Sequence, residues 1–128
     1  MEPTLASKFL SQLQTPDGAS VARQEQAVVL TLQRDSIRVT VTVPLLVREW
    51  FVDVSEASTG AKIHDYCDYD GYDEIDLGKL DADMARDVEE FVEKLLQRDL
   101  RMAADGKRLE WAVSESWQQA VPFVSEAT

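Results

Sequence analysis

The stretch Ala27-Val28-Val29-Leu30-Thr31-Leu32-Gln33-Arg34-Asp35-Ser36-Ile37-Arg38-Val39-Thr40-Val41-Thr42-Val43 decides the fold. Val28, Leu30 and Leu32 share one parity, and Ile37, Val39, Val41 and Val43 share another, set among Arg38, Thr40 and Thr42. Successive side chains of a strand point to opposite faces, so this alternation makes two strands with one apolar face each. The β-branched content favours strands, and Arg34-Asp35 between them marks a turn, so the pair reads as an antiparallel hairpin. One face is buried and the other wet, as in an antiparallel sheet covered on one side.

Working outward, Pro44 ends the second strand. A third follows at 49–56, where Trp50, Val52 and Val54 alternate with Phe51, Asp53 and Ser55. Ser58-Thr59-Gly60 turns the chain, and Ala61 to about Tyr69 returns as a fourth strand. Upstream, Thr4 suits a helix N-cap, and Leu5, Phe9, Leu10 and Leu13 have helical spacing, which predicts a short helix over 5–13. Thr15-Pro16-Asp17-Gly18 stops it. From Asp81 the period changes: Met84, Val88, Phe91, Val92 and Leu95 form one stripe. With Asp81 as N-cap and Gly106 as a stop, a helix over 82–103 would be about 33 Å long and would span the sheet. Leu109, Trp111 and Val113 alternate again and predict a last strand. The expectation is one α+β domain over residues 1–128: a meandering antiparallel sheet of four to five strands, one long helix on one face and a short N-terminal helix.

Size and composition narrow the function. A chain of 128 residues, 45% hydrophobic, falls in the range of one folded domain. Thirteen Lys and Arg stand against 24 Asp and Glu, a net charge of −11. Binding to duplex nucleic acid relies on cations that neutralise phosphates, so neither nucleic acid nor an anionic membrane is the expected partner. A charge-driven partner should be basic. The longest apolar run, Val43 to Val47, is far below the roughly 20 residues that cross a bilayer, and Met1-Glu2-Pro3-Thr4 has no signal-peptide character. The single Cys67 forms no internal disulfide framework, so a cytoplasmic protein is expected.

Known chemistries find little purchase, and no catalytic residue or cofactor is assigned. His64 and Cys67 are the only His and Cys and lie three apart, on opposite faces of a strand, so they should not form a catalytic pair. Zinc would lack ligands. The glycines at 18, 60, 71, 78 and 106 never reach the spacing of a phosphate loop. Asp68-Tyr69-Asp70-Gly71 resembles part of a calcium loop, but with Gly71 at its sixth position the anchoring first and twelfth positions fall on Tyr66 and Leu77. No metal site is assigned. A looser cation site on Asp68, Asp70, Asp73 or Asp76 belongs to the alternative function, a small carboxylate enzyme or a protein that binds a ligand or divalent cation.

The charge itself is unevenly placed. Asp65 to Glu93 holds twelve acids and two bases, so it carries ten of the eleven net negative charges. Its helical half reads as a solvated face, with Arg86, Glu90 and Lys94 spaced for i,i+4 pairing. The half from Asp65 to Asp76 has six acids, no base and every tyrosine of the chain. Tyrosine offers a large ring with a polar tip and can hold a Lys or Arg cation on its face while carboxylates complete the pairing. The expected function is therefore a non-enzymatic protein-binding module whose basic partner meets Asp65, Tyr66, Asp68, Tyr69, Asp70, Tyr72, Asp73, Glu74 and Asp76. In general character, small, acidic and single-domain, the chain is similar to bacterial immunity or antitoxin proteins, a likeness of type that no motif carries. A homodimer is the other assembly considered, through an apolar patch of Val43 to Val47 with Trp50 and Phe51.

Overall fold

The computed structural model describes residues 3–69 and 76–120. The hairpin read from the sequence is its centre. Strands β2 (Ala27–Arg34) and β3 (Ile37–Pro44) pair antiparallel, with Arg34 opposite Ile37, so only Asp35 and Ser36 form the turn. Asp35 takes φ +52°, a left-handed conformation that Asp tolerates better than most residues. Strands β4 (Glu49–Glu56) and β5 (Ala61–Asp68) continue the meander at the expected positions. The fifth strand of this sheet is β1 (Ala19–Arg23), which pairs with β2 on its other side and completes the order β1-β2-β3-β4-β5. Its short, mostly exposed run lacks a clear alternation, so the sequence gives it no strand signal.

Helix α1 (Leu5–Ser11) is capped by Thr4, whose Oγ1 accepts from Ser7 N at 3.2 Å. Helix α2 runs over Leu77–Gln97 and not over 82–103. It starts earlier because Asp76 is the cap, accepting from Lys79 N at 3.0 Å, and Leu80 extends the buried stripe by one turn. Asp81 instead accepts from Leu5 N of α1 at 3.3 Å, tying the two helices together. The helix ends earlier because Arg98 is extended and Leu100–Met102 becomes strand β6. Strand β6 pairs with β7 (Leu109–Val113), and β7 with β8 (Ser116–Gln119), in a separate three-stranded sheet. Gly106, at φ +70°, serves the β6–β7 turn rather than the end of α2, its N–H donating to Ala103 O at 2.9 Å.

Both sheets close on one core. The inner face of the large sheet supplies Val28, Leu30, Leu32, Val39, Val41, Val43, Trp50, Val52 and Val54, and α2 supplies Met84, Val88, Phe91, Val92 and Leu95. Phe91 is the junction, with ring centroids 5.6 Å from Trp50 of the large sheet and 5.6 Å from Trp111 of the small one. Arg34, at the end of β2, donates to Leu96 O at 2.8 Å and to Arg98 O, so a cation satisfies the last carbonyls of α2. At the far end of β4, the carboxylate of Glu56 accepts from the hydroxyls of Ser36, Ser58 and Thr59 and from Thr59 N. This fixes the β4–β5 turn against the β2–β3 turn. Hydrogen bonds from Ser36, then Ser58 and Thr59, hold the Glu56 carboxyl at a pKa of about 2.

Two outcomes follow. Phe91→Ala removes the ring shared by both sheets and should cost about 3–5 kcal/mol in denaturant unfolding, near the whole stability of many domains. The depressed Glu56 carboxyl binds its proton more readily unfolded than folded. Its stabilisation is thus complete above the ordinary value of 4.5 and lost as pH falls toward about 2. Glu56→Gln should therefore lower Tm at neutral pH, and its gap from the wild type should narrow through that acid window.

Candidate functional site: the open face and edge of β5

The strand that begins the acidic stretch lies at the rim of the large sheet. β5 pairs with β4 alone, and no other described strand meets its outer side. Tyr69 N donates to Arg48 O at 2.9 Å, just beyond the Glu49–Asp68 pair. Hydrogen-bonded and non-hydrogen-bonded pairs alternate in an antiparallel ladder, so Ala61, Ile63, Asp65 and Cys67 turn their backbone groups toward β4. Lys62, His64, Tyr66 and Asp68 turn theirs outward, toward the open edge. The same alternation divides the side chains. Cys67 lies opposite Trp50 and Asp65 opposite Val52 on the inner face, while Tyr66 lies opposite Phe51 and His64 opposite Asp53 on the outer one.

The outer face carries an aromatic row. The Phe51 ring lies 5.1 Å from Tyr66 and 6.0 Å from His64, centroid to centroid. Polar groups surround it. His64 Nδ1 donates to Asp53 Oδ1 at 2.6 Å, and the Tyr66 hydroxyl donates to Glu49 Oε1 at 2.9 Å. That bond to Glu49, with some desolvation, pushes the Tyr66 pKa up to about 12, so the hydroxyl stays protonated at neutral pH. Tyr66 is 48% exposed despite both contacts. Beside the row is a shallow hollow of about 300 Å³, lined by Arg38, Thr40, Asp53, Ser55, Lys62 and His64 among others.

The predicted site residues separate by position. Tyr66 and Asp68 are exposed on the outer face. Asp65 is half-buried on the inner face, where burial chiefly raises its pKa, with His64 opposing and Asp53 adding to the shift. Tyr69 turns toward the helix: its hydroxyl accepts from Trp50 Nε1 at 3.1 Å and donates to Asp87 Oδ2 at 2.7 Å. Burial first, then the bond to Asp87, drives its pKa upward. Asp76 caps α2. Asp70, Tyr72, Asp73 and Glu74 lie outside the described residues. Of the apolar patch considered for a dimer, Val43 and Trp50 are buried in the core, while Leu46 and Val47 are exposed.

Catalytic and metal readings gain no geometry. Cys67 and His64 lie on opposite faces, and burial pushes the buried thiol up to about 12, away from a nucleophile's range. Among the described residues, no three His, Cys, Asp or Glu side chains come together as metal ligands. A larger groove of about 830 Å³ runs between the ends of the two sheets, past Arg34, Glu56, Ser58, Thr59 and the β6–β7 turn. Its main charged groups are already engaged, Glu56 by three hydroxyls and Arg34 by two carbonyls. No described helix is long and apolar enough to cross a membrane.

Sequence reasoning set Phe51 and Asp53 on the face opposite Trp50, Val52 and Val54, and His64 on the face opposite Cys67, but did not join them to Tyr66. The signal was present: with a turn at Ser58-Thr59-Gly60, pairing 56 with 61 sets 51 opposite 66. No family model, curated protein or solved structure matches the chain, so the site rests on its own geometry.

The two tyrosines should part company in stability. Tyr69→Phe removes the hydroxyl that donates to Asp87 and leaves the buried Trp50 Nε1 without its acceptor, and should cost about 1–3 kcal/mol. Tyr66→Phe removes one exposed bond and should cost under about 0.5 kcal/mol by the same chemical-denaturation assay.

Proposed function

We propose that this protein is a non-enzymatic binding module, working in the cytoplasm, that holds a basic segment of a protein partner on the outer face of β4 and β5. One observation carries the reading. An exposed tyrosine, packed against Phe51, stands among Glu49, Asp53 and Asp68 at a sheet edge that no other described strand pairs with. An aromatic plane ringed by carboxylates suits a Lys or Arg side chain, which can lie on the ring and reach a carboxylate. Engaged hydroxyl and imidazole groups hold the rings in place, so little ordering is needed on binding. The net charge of −11 would draw a cationic partner and repel acidic ones.

The test is calorimetric titration with the eight-residue peptide Arg-Arg-Thr-Thr-Arg-Arg-Thr-Thr, which presents cations on both faces when extended, beside a twin in which Glu replaces Arg. The cationic peptide should bind and the acidic one should not. Raising salt to about 0.5 M, where charges are screened beyond a few ångströms, should weaken binding about tenfold. Phe51→Ala with Tyr66→Ala should cost about 2 kcal/mol, a thirtyfold loss. Equal binding of both peptides, or affinity unmoved by the double substitution, overturns the proposal.

A further inference from the structure

We propose that the partner's segment binds as a sixth strand on the open edge of β5, with a Lys or Arg of that segment seated opposite Asp65. This rests on the function proposed above and specifies how the basic segment is held. Exposed strand edges are templates for strand addition because their outward N–H and C=O groups lack partners within the sheet. On β5 those groups belong to Lys62, His64, Tyr66 and Asp68, whose side chains also form part of the outer face. A strand added there would lay alternate side chains directly beside the Phe51–Tyr66 row.

Asp65 supplies the selectivity. It is half-buried in mid-strand, on the inner face, and no side-chain hydrogen bond to it is found among the described residues. Its backbone bonds point to β4, so on the open side it occupies a non-hydrogen-bonded position. There the residue opposite approaches to about 4.5 Å between Cα atoms and shares the same face. A cation at that place would compensate a partly desolvated carboxylate, and an apolar or acidic residue would leave it uncompensated. The same carboxylate argues against a second copy as the occupant. The antiparallel register that sets Lys62 opposite a second copy's Asp68 also sets the two Asp65 carboxylates face to face, and like charges directly opposite destabilise a sheet.

The experiment uses the whole chain and the eight-residue Arg–Thr peptide, with three changes. The first is the same peptide N-methylated at alternate amides, which keeps every charge and removes the N–H groups a strand must offer. The second is His64→Pro, which removes one outward N–H and blocks the edge, a substitution that edge strands tolerate. The third is Asp65→Lys, tried with the Arg peptide and with a peptide whose central Arg is Glu. The expected results are at least a tenfold loss with the methylated peptide in one of its two methylation frames, and with His64→Pro. Amide shifts should concentrate at residues 62–68, and Asp65→Lys should reverse the preference at the central position. Binding that survives methylation in both frames overturns strand addition, whatever happens to the proline variant's stability. An unchanged preference in Asp65→Lys overturns the role of Asp65. In either case the salt and Tyr66 dependence of the parent peptide would still stand, so the failure would be separable from failure of the basic-partner reading, in which no cationic peptide binds at all.

Discussion

One helix face has to serve two sheets. The stripe of α2 covers the inner face of the five-stranded meander, and Phe91 in its middle touches Trp50 on one side and Trp111 on the other. The three-stranded sheet therefore has no separate core: Leu109 and Trp111 are buried in the cluster that α2 shares with the meander. The rim contacts reinforce the arrangement. Arg34 reaches from the meander to the carbonyl end of α2, Asp81 ties α2 to the start of α1, and Arg98 lies over the Trp111 ring at 5.6 Å. Each joins neighbouring elements at a place where backbone polar groups or ring faces would otherwise be left to water.

Legibility in the sequence followed the strength of local pattern. Strands β2 to β5 were readable to within a residue or two, because buried positions alternate cleanly and turn residues separate them. Strand β1 was not, since only Ala19 and Val21 pack inward while Ser20, Ala22 and Arg23 are exposed. The ends of α2 were misread for a physical reason. Asp76 and Asp81 are equally good caps by type, and only the packing of α1 decides that Asp81 serves the neighbouring helix. Likewise Leu100 to Met102 has side chains a helix would accept, but pairing with β7 offers a ladder that overrides propensity.

The acidic stretch looked uniform as a count of charges and is not uniform in space. Asp76 and Asp81 satisfy backbone N–H groups, and Asp87 anchors the Tyr69 hydroxyl. Asp65 turns inward and Asp68 outward although only two residues lie between them. Of the tyrosines described, one is tied to the helix and one is offered to solvent. The residues that complete the outer-face cluster, Phe51, Asp53 and Glu49, come from the neighbouring strand and outside the stretch whose composition drew notice. Composition located the strand; only register could locate the surface.

Chain order has its own consequence. All five strands of the meander precede α2, so during synthesis the large sheet can form from sequential hairpins while most of its inner cover has yet to emerge. Until then Trp50, Val52 and Val54 face water with only α1 present on that side. The nascent chain thus passes through an interval as a one-sided sheet with an apolar face. An edge strand carrying a carboxylate on that same face discourages two such intermediates from joining there. Asp65 would then matter first on the ribosome, as a guard against misassembly.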